Sequence, residues 1–547
     1  MSKAVQSQSP RVTRFKLYAG AGGALLVLLL ALRSAAIIAL VTVAALTVAF
    51  FVLRARWRWH RTGGKTAMRR RRKFQGHATG RELRRNLPCA GVLLGDARRH
   101  GPLYGGYEDF FAVFGPQRSG KSAWLAGALA DAPGAALSTS TRVDMWVNTS
   151  VQRARLGPVL VLNPALDGGI PSTFAWNPLE GCETAAGAIA RAGYLMDAAP
   201  RDTSGRDAWW DAQGAILLRL MMHAGALVGA SMMDVGRWVR DPLSAEPGAI
   251  LAAHPLAAPG WEDELAAITG HAADEEYMRN VARGAVTALS WLSDPAMAAT
   301  ACPRDSWEGF SARQFIAEGG TVYLIGTDRP HNSLAPYFAV LTAHLFDTAK
   351  QIAAESPGCR CDPPLSLVID EPAVTCPVPL DRWSAEAGGH GVTVVTGFQS
   401  RSQLAARWGP DGARTIWNNA TVKLIYGGFT DHEDLEAFSG VCGDRDTWHH
   451  VRHPDGSKTR QPDRERLYPP ERIRLLPPWH ALVLHRNTRP VEVTVTPVWD
   501  RPGYEPAEPA RALPAERPAI EAPHREPIAL PYSPQEEIPC SSATTSA

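Results

Sequence analysis

The octet Gly115-Pro116-Gln117-Arg118-Ser119-Gly120-Lys121-Ser122 follows the apolar run Phe110–Phe114 and opens the helix-forming stretch Ala123–Ala130. A G-x-x-x-x-G-K-[ST] pattern in that setting constrains the fold more than any other feature of the chain. It needs a tight turn whose successive backbone N–H groups, backed by a helix amino terminus, make a concave anion site. Gly115 and Gly120 permit that backbone. Lys121 is expected to reach the β and γ phosphates of ATP, and the Ser122 hydroxyl to ligate Mg²⁺.

A phosphate loop requires a partner strand ending in carboxylates, and Leu365-Ser366-Leu367-Val368-Ile369-Asp370-Glu371 has that form. In this Walker B pattern Asp370 is the second expected metal group, and Glu371 orients or polarises the attacking water. The run Val392–Val395 leads to Gln399, whose amide is placed to sense the γ phosphate. Lys121, Glu371 and Gln399 are therefore the candidate catalytic residues. Hydrolysis also calls for a positive charge at the developing transition state. Arg382, Arg401, Arg407 and Arg414 qualify equally, so none is assigned.

Further short apolar runs at Val159–Leu162, Val322–Ile325, Val422–Tyr426 and Ala481–Leu484 suit strands buried on both faces of a mainly parallel sheet. An α/β core follows. Between residues 180 and 314 the pattern is helical throughout, as in Trp209–Met222 and Val281–Leu292, which predicts an inserted all-α domain. The expected division is a cytoplasmic N-terminus (1–16), a transmembrane hairpin (17–53), a basic connector (54–105), the core (106–179 and 315–500) around the helical insertion (180–314), and a disordered Pro-rich tail (501–547).

The hairpin rests on length. From Leu17 to Leu53 the chain is almost uninterruptedly apolar except at Arg33-Ser34. As one helix it would run about 55 Å, against a hydrocarbon core of roughly 30 Å. Splitting at Arg33-Ser34 gives two spans, and the Lys and Arg residues on both flanks place both termini in the cytoplasm of a multi-pass cell-membrane protein. The run Met68–Lys73 then faces anionic headgroups. The eight cysteines form no CxxC pair and read as reduced thiols. A net charge of +3 is too small to argue for nucleic acid on its own.

Together these motifs resemble the TraG/TraD-type coupling proteins of type IV secretion and conjugation, with an actinobacterial-like cast. The resemblance also takes in Ser138–Asp144 after the second core strand, Trp176-Asn177-Pro178-Leu179 entering the helical insertion, Gln399–Leu404, and Leu475–Leu484. It implies a RecA-like P-loop NTPase core, an ATP-hydrolysing DNA-translocating motor and a homo-hexameric ring at the channel mouth. The implied partners are single-stranded DNA carrying its relaxase, the secretion channel and the membrane. The chain departs from many relatives in having Ser-Thr-Ser-Thr-Arg where they carry an Asp-Pro-Lys-type segment, and the hairpin leaves no room for an extracytoplasmic domain. The competing readings are an FtsK-like double-stranded DNA pump and an ATP-binding membrane receptor for secretion substrates.

Overall fold

The structure, a computed structural model, describes residues 46–50, 91–98, 101–200, 208–270, 274–302, 310–326, 333–452 and 458–508. The chain divides into two units, 1–65 and 66–547. In the first only 46–50 are described, as helix. The rest of the expected hairpin lies outside the described residues, and no described helix is long and apolar enough to cross a membrane.

The second unit is built on an eleven-stranded sheet. Its strands are β1 (Val92–Ala97), β2 (Gly101–Gly105), β3 (Phe110–Phe114), β4 (Ala136–Ser140), β5 (Val159–Leu162), β6 (Thr321–Ile325), β7 (Leu365–Asp370), β8 (Val392–Phe398) and β9 (Val422–Tyr426), then β12 (His480–His485) and β13 (Val491–Thr494). A separate two-stranded ribbon, β10 (Asp444–Arg452) with β11 (Lys458–Arg466), follows β9. The order across the large sheet is β2-β1-β13-β12-β9-β3-β8-β7-β4-β6-β5. Strands β9 to β5 in that order are all parallel, and β12, β13, β1 and β2 add an antiparallel margin.

The continuous apolar runs are explained by burial on two faces. In β3, Phe111 and Val113 enter one core with Trp124, Leu125 and Leu129 of the helix Lys121–Ala130. The alternate residues Phe110, Ala112 and Phe114 enter the other core with Phe338, Leu345, Trp383, Leu404 and Phe438. Between β5 and β6 the described residues hold no strand. Helices Ala185–Ala198, Ala208–Leu227, Met232–Arg240, Ala245–Ala253, Trp261–Thr269, Glu275–Ala288 and Pro295–Ala301 fill the interval. They bury Leu217, Met221, Val235, Trp238 and Val281. Tyr337, on the helix Ala335–Glu355, donates its hydroxyl toward the carbonyls of Trp176 and Thr300, each at 2.9 Å.

Three sequence expectations are corrected. The sheet begins at Val92, within the stretch read as connector, because β1 and β2 are short, glycine-interrupted strands without a long apolar run. Ser138-Thr139-Ser140 lie inside β4 rather than after it, their hydroxyls buried. Residues 501–508 belong to the packed body and not to a disordered tail: Arg501 pairs with Asp131 at 2.9 Å, and the Tyr504 hydroxyl donates to Asn148 at 2.6 Å.

Candidate nucleotide site

The phosphate loop and the Walker B strand are not neighbours in the sheet. Strand β8 lies between them, with Gly397 level with Val113 of β3 on one side and Asp370 of β7 on the other. The carbonyl end of β8 holds both: Gly115 N–H donates to Phe398 O at 3.0 Å, and Glu371 N–H to Gly397 O at 2.9 Å. Loop and carboxylates therefore meet at the carboxyl ends of parallel strands, where open α/β sheets place their ligands.

Within the loop, Arg118 and Gly120 adopt positive φ of 62° and 102°. Gly120 is the cap residue of the helix beginning at Lys121. A Cβ at Gly115 would come within 2.4 Å of Ser119 Oγ and 3.2 Å of Tyr426 Cβ, so a larger residue there would force the Ser119 hydroxyl to turn away. The expected residues converge. Lys121 Nζ sits 3.1 Å from Asp370 Oδ1 and 3.4 Å from Glu371 Oε1. Ser122 Oγ donates to Asp370 Oδ2 at 2.8 Å. Gln399 Nε2 donates to Glu371 Oε1 at 2.5 Å, while its own N–H is taken by Gln403 Oε1 at 2.9 Å.

Burial raises the Asp370 carboxyl above the ordinary carboxylate range, against the opposing pull of the Lys121 ammonium and the Ser122 hydroxyl. Glu371 occupies left-handed backbone, φ 53° and ψ 55°. Such a conformation costs a non-glycine residue on the order of 1–3 kcal/mol and persists only where the surroundings fix it. Here the bond to Gly397 fixes the amide, and Thr375 Oγ1 donates to the carbonyls of Asp370 at 2.8 Å and Glu371 at 3.2 Å.

The donor set suits Mg²⁺. No cluster of three His, Cys, Asp or Glu residues able to hold a metal occurs among the described residues. Mg²⁺ needs only one or two carboxylate or hydroxyl groups beside phosphate oxygens and water, and Ser122 and Asp370 face one another at 2.8 Å. Two buried hydroxyls beside the loop, Ser119 Oγ and Tyr426 Oη, have no hydrogen-bond partner among the described residues. A buried unpaired hydroxyl is costly, and a phosphate-bearing ligand in the loop would offer acceptors.

Residues 364–478, which include β7, Asp370, Glu371 and Gln399, match the family described as the TraM recognition site of TraD and TraG. The match spans the segment from β7 to the turn before β12, which carries much of the TraG/TraD-type pattern seen in the sequence. No curated protein matches it. Among solved structures, the bacterial conjugative coupling protein TrwBdeltaN70 in an unbound monoclinic form is similar at 20% identity and a TM-score of 0.55, over 75% of this chain and 90% of that one. The plasmid coupling protein TrwB with the ATP analogue ADPNP is similar at 21% identity and a TM-score of 0.51, over 71% and 86%. TrwB with ADP and Mg²⁺ matches at 20% and 0.50, over 71% and 85%. At these identities the likenesses show the fold.

The four candidate arginines separate in space. Arg407 donates to the carbonyls of Ala199 and Asp197, at 3.1 and 2.5 Å, tying the helix Ser402–Asn419 to the first helix of the insertion. Arg401 lies over the Trp417 ring at 5.0 Å and near Asp434. Arg382 and Arg414 are exposed. Sequence reasoning missed Gly397. A Cβ there would lie 2.8 Å from Asp370 Oδ1, 2.9 Å from Leu125 Cδ1 and 3.2 Å from Lys121 Cδ. The only signal was its place two residues before Gln399.

Proposed function

We propose that the chain is a TraG/TraD-type coupling protein, a membrane-anchored ATPase that couples ATP hydrolysis to delivery of a DNA–relaxase nucleoprotein into a type IV secretion channel, working as a homo-hexamer with its motor in the cytoplasm. The observation that carries the reading is the convergence of Lys121, Ser122, Asp370, Glu371 and Gln399 at one end of β3, β7 and β8. The nucleotide and Mg²⁺ complexes of TrwB support ATP and Mg²⁺ as the ligands here.

The residues divide the work. The loop amides of 115–122 and the Lys121 ammonium bind the phosphates, and Lys121 exchanges its carboxylate partners for phosphate oxygens as it does so. Ser122 and Asp370 hold the metal, which when bound neutralises charge on the β and γ oxygens. Glu371, kept beside them by Gln399 and by its left-handed backbone, orients a water for in-line attack. The Gln399 side chain donates directly to the Glu371 carboxylate, so it positions the base, and its amide is assigned the further role of sensing the γ phosphate. Delivery of DNA along a ring draws on sequence-independent contacts to phosphates and bases.

The test is Lys121→Ala and Glu371→Gln in the full chain. Both are expected to abolish ATP turnover without unfolding the protein, and Lys121→Ala to abolish plasmid transfer in cells. Undiminished transfer by Lys121→Ala would leave only a receptor role. Stimulation of turnover by double-stranded but not single-stranded DNA would favour the double-strand pump.

A further inference from the structure

Beside the phosphate loop stands a pair of tryptophans that the hydrolytic chemistry does not use. Trp479 lies in the turn entering β12, with φ at 63°. The turn is fixed on both sides: His480 N–H donates to Pro477 O at 3.1 Å, and Val495 N–H to Trp479 O at 2.7 Å. Its indole packs so close to Gly120 that a Cβ there would meet ring atoms Cε3 and Cζ3 at 3.1 Å. Trp499 meets it edge-on, ring centroids 5.8 Å apart and planes at 81°. Trp499 in turn sits just before Arg501, which anchors the chain to Asp131 at 2.9 Å and to Gly127 O at 3.4 Å, on the helix that starts at Lys121. Both rings nevertheless remain open to solvent, Trp479 at 36% and Trp499 at 41%.

Resting on the nucleotide reading above, we propose that Trp479, backed by Trp499, is the stacking surface for the nucleobase of the bound triphosphate. Three observations carry it. The rings are contiguous with Gly120, the residue that opens the phosphate-binding helix, so a ligand anchored there through phosphates has its nucleoside end within reach of them. Trp479 is held in left-handed backbone by two hydrogen bonds, the kind of over-determined conformation that marks ligand contacts. Two half-exposed indoles at one point leave a large apolar face in water, and a heterocycle laid on it removes that face from solvent. An indole face reads the π surface of a base and not its hydrogen-bonding edge. The shelf is therefore expected to take adenine and guanine alike.

The experiment compares MgATP, MgGTP and Mg-tripolyphosphate binding by calorimetry in the full chain, as parent, Trp479→Ala, Trp479→Phe, Trp499→Ala and Lys121→Ala. Trp479→Ala is expected to weaken both nucleotides by about tenfold or more and to leave tripolyphosphate affinity unchanged. Trp479→Phe keeps most of the nucleotide affinity, which guards against a folding defect. Trp499→Ala gives a smaller loss confined to the nucleotides. Unchanged nucleotide affinity in Trp479→Ala, or equal losses for nucleotide and tripolyphosphate, overturns the stacking role while leaving the phosphate site standing. If the parent binds none of the three ligands, or Lys121→Ala binds all three as the parent does, the nucleotide reading itself falls.

Discussion

Gly397→Ala tests whether the site is assembled by the packing of β8. The added methyl group would meet Asp370 Oδ1, Leu125 Cδ1 and Lys121 Cδ at 2.8, 2.9 and 3.2 Å, where ordinary carbon contacts lie near 3.5–4.0 Å. Each neighbour must yield by several tenths of an ångström. The neighbours are two members of an ion pair now 3.1 Å apart and a fully buried leucine. At an effective dielectric of about 20, stretching a pair from about 3 to 4 Å gives up roughly 1 kcal/mol of attraction. Overpacking a buried site adds about 1–3 kcal/mol.

Because the strain falls on Lys121 and Asp370 themselves, ATP turnover is expected to drop at least about tenfold, at ~1.4 kcal/mol per decade. The melting temperature should fall by a few degrees only. Steady-state ATPase and calorimetric unfolding read the two effects. The double variant Gly397→Ala with Leu125→Ala relieves one contact but not the one to Asp370. It should leave turnover low whatever it does to stability. Parental kcat/KM and parental melting in Gly397→Ala would refute the packing argument.

Other outcomes follow from the same contacts. Gln399→Ala removes the amide that holds Glu371, so kcat should fall about ten- to a hundredfold while nucleotide affinity stays near parental; loss of binding in proportion would contradict a role through the base. Arg407→Ala leaves the carbonyls of Asp197 and Ala199 without their donor, at about 1–3 kcal/mol; hydrogen exchange should quicken at the end of the helix Ala185–Ala198, and unchanged protection there would count against it. Lys423, whose ammonium is lowered to about 8 by burial, carries its charge at a cost below that pH. The unfolded chain binds the extra proton between about pH 8 and the ordinary lysine value near 10.4. That contribution to stability is thus absent at neutral pH and grows as pH rises through this window. Lys423→Met should flatten the rise in melting temperature over that range, and an identical profile would show the group is not desolvated.

Much of the core was legible because function and burial leave strong marks. Strands β3, β7 and β8 are buried on both faces and carry no charge before their last residue, so their apolar runs stand out. That Lys121, Ser122, Asp370, Glu371 and Gln399 come together was readable because the glycine-rich loop and the strand-to-carboxylate pattern both place their residues at strand ends. The helical insertion showed itself through its periodicity. What escaped depends on pairing between distant segments. The strand read from Val392 to Gln399 is borne out to Phe398, but the partner of its buried polar residue was not readable: the Thr396 hydroxyl donates to Phe111 O at 2.9 Å. Strand β4 hides buried hydroxyls in the same way, with Thr139 bonded to Thr375. The margin β1, β2 and β13 has too few residues for a periodic signal, and the ribbon β10–β11 is masked by charge. The requirement at Gly397 exists only through its register with Asp370, which no local pattern announces.

The segment from Trp499 to Ala507 acts as a clasp across two helices of the motor. Arg501 grips the helix Lys121–Ala130, while Tyr504 holds Asn148 and Ala507 N–H donates to Val147 O at 2.8 Å on the helix Asp144–Arg153. A shortened protein that ends after Glu508 keeps this clasp; one that ends before Trp499 exposes Asp131 and frees the back of the phosphate-binding helix. The usable boundary for truncation, tagging or fusion therefore lies beyond 508, several residues later than the onset of proline-rich composition would suggest.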